Sequence, residues 1–362
     1  MPTASVLQLV LGVGILTMGA DALVRGATRL AARVGLSSLV IGLTVVAFGT
    51  SLPEVSVSLG SALLGDGGVA LGNALGSNIF NILVVLGGSA VIRPLLVDRQ
   101  LVRQDVPVMV ATALLVLLVC LDGRVGRWDG ILLVSLGVAY TVILIRVGMR
   151  TDPAPDAPAT PPPAGRLRVQ LAWILLGLVL LVVGARVLVT AAETLARAMG
   201  VSELIIGLTV VAAGTSLPEL ATSFVAAWRG ERDIAAGNVV GSNIFNALVV
   251  LGVAGLAAGA EGIVVPLGVR TFDLPLMVAA SVACLPIFFT GYSISRWEGW
   301  VFLGYYLVYL LYLVTAHTEH AARQAIQTGL LFFALPLTAL TLGVFVFREV
   351  RERRASPPDG SV

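Results

Sequence analysis

Long apolar blocks separated by short polar or glycine-containing breaks dominate the chain. A helix that crosses a bilayer takes about 20 mostly apolar residues. Blocks of that kind lie at 6–30, 39–64, 69–91, 106–121 and 130–147. A stretch rich in proline follows (Pro153, Pro155, Pro158, Pro161, Pro162, Pro163) and reads as a flexible or polyproline linker, too short for a folded domain. The blocks resume at 169–195, 204–228, 234–256, 274–290 and 300–315, and one more, 330–347, stands outside the pattern. The expectation is an all-α membrane protein of five, five and one spans. Residues 1–150 form a first repeat, 151–165 a cytoplasmic linker, 166–316 a second repeat, and 317–362 an extra helix with a basic tail.

The resumption is an internal repeat. At a constant shift of 165 residues, IGLTVVA at 41–47 recurs at 206–212, GTSLPE at 49–54 recurs at 214–219, and GSNIFN at 76–81 recurs at 241–246. Gly72-Asn73 returns as Gly237-Asn238, and Gly12 and Gly19 align with Gly177 and Gly184. An odd number of spans per copy inserts the second copy upside down, the inverted architecture of secondary transporters, with the site near the midplane between copies. Arginine placement sets the orientation. Arg29, Arg33, Arg93, Arg99, Arg103, Arg146, Arg150, Arg166, Arg168, Arg229, Arg232, Arg296 and the tail arginines Arg348, Arg351, Arg353 and Arg354 fall on one side, while Arg124, Arg127, Arg197, Arg270 and Arg323 fall on the other. That places the N-terminus outside and the C-terminus in the cytoplasm of a plasma (inner) membrane, multi-pass protein.

Composition agrees: 57% of residues are hydrophobic and 12% charged, against about a quarter charged in soluble domains. A net charge of +2 gives no basis for nucleic-acid binding. Met1 to Gln8 carry no basic n-region, so a signal peptide is not expected. Cys120 and Cys284 sit in apolar runs and read as small buried hydrophobes, and His317 and His320 as a solvated pair.

Ionisable side chains inside a membrane are costly and functional by default. Glu54 and Glu219 stand mid-span at the same place in each repeat. Ser51-x-x-Glu54 and Ser216-x-x-Glu219 also match a helix-capping box, a reading compatible with an ion site. Pro53 and Pro218 cannot donate to the carbonyl four residues back, which frees the Gly49 and Gly214 carbonyls and loosens those of Ala47 and Ala212. Backbone exposed at membrane depth is tolerated where it lines a cavity. Ser77 with Asn81, Ser242 with Asn246, and Thr50 with Glu54 share helical faces at i, i+4. Gly72, Gly76, Gly237 and Gly241 read as close-packing positions. Asn78 and Asn243 either brace helices or bind ions. The oxygens of carboxylates, hydroxyls, amides and carbonyls suit hard cations such as Ca²⁺. Two carboxylates balance one divalent or two monovalent ions, the basis of mutually exclusive occupancy.

The paired GTSLPE and GSNIFN segments resemble the two alpha repeats of the calcium/cation antiporter superfamily, in its prokaryotic sodium/calcium exchanger branch. The resemblance implies a ten-helix core and electrogenic exchange of Na⁺ for Ca²⁺ by alternating access. It places Ca²⁺ at Glu54, Glu219, Thr50 and Thr215, and Na⁺ at Ser51, Ser216, Ser77 and Ser242 with the carbonyls of Ala47 and Ala212. Asn81 and Asn246 complete the centre, where some relatives carry an Asp. The implied partners are the two ions and the lipid bilayer, with no cofactor, nucleic acid or protein. A proton/Ca²⁺ antiporter using the same glutamates is the main rival. A passive channel and an intramembrane hydrolase fit less well, the latter for want of a histidine within a span.

Overall fold

A computed structural model describes residues 2–149, 166–201 and 212–317, with isolated positions between 202 and 211 and beyond 317. The proline-rich stretch, His320, the apolar run 330–347 and the basic tail lie outside the described residues. The chain is helical: α1 (Pro2–Val34), α2 (Ser38–Thr50), α3 (Leu52–Leu63), α4 (Gly67–Ile92), α5 (Leu101–Asp122), α6 (Arg127–Gly148) and α7 (Leu167–Ala198), followed by α8 (Ala212–Gly214), α9 (Leu217–Arg229), α10 (Arg232–Ala257), α11 (Val269–Phe289) and α12 (Arg296–His317). Two antiparallel ladders join loops of the two halves: β1 (Leu95–Leu96) pairs with β4 (Ser293–Ile294), and β2 (Arg124–Val125) with β3 (Ile263–Val264).

Among the described residues, eight helices are long and apolar enough to cross a membrane, nine with α2 and α3 counted as one bent span. The expected block 39–64 is therefore not one straight helix but breaks at Ser51, with a bend of 43°. Ser51 sits at φ −85°, ψ 5°, and Ser216 at φ −91°, ψ 8° before α9, both off the helical path. Pro53 and Pro218 stand in the first turn after each break, where a missing N–H costs nothing. Single π turns interrupt several spans, including Asn81–Leu86 and Asn246–Val250, irregularities that gather at functional sites.

Glycines set how closely the spans approach. A Cβ on Gly12 would meet Leu188, one on Gly19 Leu181, and one on Gly26 Ile174, so α1 and α7 run antiparallel with their backbones nearly touching. Gly237 and Gly241 of α10 press on Leu39 and Leu43 of α2. For their counterparts Gly72 and Gly76, a Cβ would meet nothing within 4 Å among the described residues. Both cysteines are buried and unpaired, as small apolar residues should be.

The halves differ where α5 meets α6 and α11 meets α12. Tyr140 Oη donates to Asp105 at 3.0 Å, and Tyr309 Oη to Asp273 at 3.0 Å, which marks these as equivalent places. In the second half buried Phe272 fills the gap, its ring centroid 3.6 Å from that of Tyr312. In the first half Gln104 and Ile143 leave an apolar cleft of about 410 Å³ between α5 and α6. Removing so large a buried ring forfeits its packing contacts. Phe272→Ala is expected to cost about 3–5 kcal/mol, seen as a lowered melting temperature in detergent, whereas Ile143→Ala, on an exposed wall of the cleft, leaves melting nearly unchanged.

Candidate cation site

Two buried carboxylates meet where the broken helices face each other. Glu54 lies in the first turn of α3 and Glu219 in the first turn of α9, both fully buried. Each takes its hydrogen bond from the other half. Ser51 Oγ donates to Glu219 Oε1 at 2.9 Å, and Ser216 Oγ lies 3.0 Å from Glu54 Oε1. Ser216 Oγ is also 3.0 Å from Ser77 Oγ of α4, which stands 3.5 Å from Glu54 Oε1. Thr50 and Ser242 flank Glu219, and Glu54 feels the charge of Glu219.

The crossed bonds exist because each serine sits at the break. With non-helical torsions its side chain leaves the helix and points across the interface. The capping-box reading is thereby overturned: neither Ser51 nor Ser216 caps its own helix through its side chain. The geometry spends those hydroxyls on the opposite carboxylate instead.

Among the described residues no arginine acts on either carboxylate. Hydroxyls of Ser216 and Ser77 lie by Glu54 Oε1 and that of Ser51 by Glu219 Oε1, while Oε2 of each residue has no hydrogen-bond partner among the described residues. Both amide atoms of buried Asn81 and of buried Asn246 are likewise unpartnered. Each of these asparagines opens a π turn, at the level of a serine one turn earlier. Buried polar atoms without partners are few in native proteins. Here four of them are oxygens of the two carboxylates and of the asparagines one turn after Ser77 and Ser242, a donor type that suits a hard cation.

The expected loosening of the Ala47 carbonyl is not seen. Ala47 O stays in the helical ladder, accepting the Ser51 N–H at 3.1 Å, with Thr50 Oγ1 3.3 Å away. In the second half the Ser216 N–H turns to Ala213 O at 3.2 Å rather than to Ala212. Gly49 and Gly214 do more than kink: a Cβ at either would stand 2.7 Å from Leu178 or Val189 of α7, so they let that helix reach both breaks. Asn78 and Asn243 brace. Asn78 Nδ2 donates to Asn243 O at 3.3 Å and approaches Met277 Sδ at 3.7 Å, and Asn243 Nδ2 approaches Met109 Sδ at 3.6 Å. Their Oδ1 atoms have no partner among the described residues.

The sequence reading passed over Asn73, Asn238, Ser58 and Ser223. Asn73 Nδ2 donates to the Glu54 carbonyl at 3.1 Å and to Ser58 Oγ at 2.8 Å, while its Oδ1 accepts from Thr215 Oγ1 at 3.1 Å. Asn238 repeats the pattern on the Glu219 carbonyl (3.4 Å), Ser223 Oγ (2.9 Å) and Thr50 Oγ1 (3.1 Å). The signal was present: both pairs recur at the 165-residue shift, and each serine lies one helical turn after its glutamate.

A helical membrane body with an all-oxygen, doubly acidic site between its halves defines a cation transporter, not an enzyme. Residues 4–146 and 169–315 match the family described as sodium/calcium exchanger protein, and the chain belongs to that family. It is 38% identical over 281 residues to a putative antiporter, CaxA, of Alkalimonas amylolytica, covering 76% of this chain and 86% of that one. It is 30% identical to the sodium/calcium exchanger MaX1 of Methanosarcina acetivorans, over 86% of this chain and 99% of that protein. Its fold is similar to that of the sodium-calcium exchanger NCX_Mj, with a TM-score of 0.74 at 33% identity, covering 85% of this chain and 98% of that one.

Proposed function

We propose that this protein exchanges Na⁺ for Ca²⁺ by alternating access, electrogenically, with Glu54 and Glu219 as the shared ligands of the two ions. One observation supports the reading: the carboxylates come from opposite halves, are fully buried, and each accepts from a serine of the other half. A buried pair of carboxylates with no arginine among the described residues calls for positive charge, and one Ca²⁺ or two Na⁺ supply it. Thr50, Thr215, Asn81 and Asn246 complete the Ca²⁺ centre. Ser51, Ser216, Ser77 and Ser242, with backbone oxygens near Ala47 and Ala212, hold further Na⁺. More than two Na⁺ against one Ca²⁺ makes transport electrogenic.

The same proposal takes the architecture as two inverted five-helix repeats with an eleventh span, the N-terminus outside and the C-terminus cytoplasmic. Support comes from α1 and α7, equivalent in sequence and antiparallel in space, and from the crossed ladders β1–β4 and β2–β3. The names of MaX1 and NCX_Mj as sodium/calcium exchangers favour Na⁺ as the counter-ion.

The test is ⁴⁵Ca²⁺ flux in proteoliposomes with Na⁺, K⁺ and H⁺ gradients imposed separately. An outward Na⁺ gradient alone is expected to drive Ca²⁺ uptake, accelerated by an inside-positive potential as net charge leaves with Na⁺. Uptake driven by a proton gradient and indifferent to Na⁺ would replace this reading with proton/Ca²⁺ exchange.

A further inference from the structure

We infer that Asn73 and Asn238 are positioning residues that commit the hydroxyls of Thr215 and Thr50 to act as lone-pair donors to the cation. The inference rests on the exchange reading above and concerns how the site is set before an ion arrives.

Hydrogen-bond bookkeeping fixes the direction of each amide. The Glu54 carbonyl can only accept, so the group 3.1 Å from it must be Asn73 Nδ2. Ser58 Oγ lies 3.3 Å from the Ala70 carbonyl and gives its proton there, which leaves it to accept from Asn73 at 2.8 Å. Both amide protons are then used. The remaining atom, Oδ1, faces Thr215 Oγ1 at 3.1 Å and can only accept. Thr215 must therefore donate its single proton to Asn73. A hydroxyl so engaged offers only lone pairs to any other neighbour, which is what a cation requires.

The second half runs the same way. Ser223 Oγ points to Ala235 O at 3.4 Å, Asn238 Nδ2 donates to Ser223 Oγ and the Glu219 carbonyl, and Oδ1 is left for Thr50. Each asparagine thus ties the glutamate backbone of one half to the threonine of the other.

Thr50 Oγ1 also lies 3.1 Å from Val46 O and 3.3 Å from Ala47 O, so it keeps an acceptor for its proton if Asn238 is lost. For Thr215 the described residues provide Asn73 alone. Thr50 and Asn238 are buried, whereas Thr215 and Asn73 are half-buried. Loss of Asn73 removes from Thr215 the acceptor that directs its proton away from the ion.

The experiment measures Na⁺-driven ⁴⁵Ca²⁺ uptake in proteoliposomes, separating the half-saturating Ca²⁺ concentration from the maximal rate. Asn73→Ala is expected to raise half-saturation about tenfold, the equivalent of about 1.4 kcal/mol, with the maximal rate within about twofold. Asn238→Ala is expected to shift it by less than about threefold, since Thr50 retains backbone acceptors. Thr215→Val reproduces the Asn73→Ala shift, and the double variant is no worse than either single, because the asparagine acts through the threonine. Thr215→Ser keeps the hydroxyl that donates to Asn73, so half-saturation stays within about twofold of the unmodified protein. Multiplicative losses in the double variant, an unchanged Asn73→Ala, or a serine variant as weak as valine would each overturn the inference. If Asn73→Ala does not fold, the valine and serine variants of Thr215 decide between them. Absence of Na⁺-driven uptake by the unmodified protein instead sinks the exchange reading itself.

Discussion

Glu54→Gln and Glu219→Gln each abolish Na⁺-driven ⁴⁵Ca²⁺ uptake while the protein remains monodisperse and thermally stable. Glutamine keeps the shape of the carboxyl group and can still accept from the opposite serine. The change therefore removes charge while keeping the packing. A unit charge at about 4 Å in a medium of effective dielectric about 20 contributes about 4 kcal/mol, on the order of a thousandfold in occupancy. For a divalent ion in direct contact this is a lower bound. Both carboxylates are buried without arginine partners among the described residues, so none of these replaces the lost charge. Removing a buried charge that has no countercharge beside it does not threaten the fold. Normal Ca²⁺ uptake by both variants would refute the assignment, and loss of uptake together with aggregation would show the glutamates to be structural.

Gly241→Ala is expected to impair both stability and transport, because it wedges apart the helices that carry the site. A Cβ there would stand 2.6 Å from the Leu43 carbonyl oxygen and 2.8 Å from the Ala47 Cβ. Neither can rotate away, since one is backbone and the other the stub of a helix. Overpacking of this kind costs about 1–3 kcal/mol, occasionally more, and the backbone contact puts Gly241 at the upper end. The displacement falls on Ser242, the next residue, and on Asn246 one turn further, so the cage opens. Gly14→Ala serves as the comparison: it is exposed, and a Cβ there meets nothing within 4 Å. Thermal melting in detergent and Ca²⁺ half-saturation read the two effects. Equal behaviour of the two variants would show that α10 and α2 can separate without cost.

The candidate site was largely legible before the structure, for a specific reason. A charged residue in a long apolar block is rare, and an identical one at the same depth of a second copy is rarer still, so Glu54 and Glu219 marked themselves. The serines and amides followed by helical spacing. What spacing could not reveal was the direction of each hydroxyl. Ser51 and Ser216 matched the pattern of a helix cap, and only the break at each residue turns the side chain to the other half. Asn73 and Asn238 stayed unnoticed because an asparagine beside a glycine in a helix is ordinary until its three partners are seen. Phe272 and Gln104 illustrate the same limit: the repeat is poorly matched there, and only packing shows one gap filled and the other open.

By itself the sequence determined a membrane-embedded helical body, an internal repeat, and two acids with surrounding oxygens as the candidate site. These follow from local physics, since the bilayer demands long apolar helices and tolerates charge only for a purpose. The tertiary structure alone decided which serine meets which carboxylate, where the spans break, and that an outer layer of asparagines ties one half to the other. Such contacts join residues more than a hundred positions apart, and hydrogen-bond partners depend on distance and angle in space, to which residue order is blind.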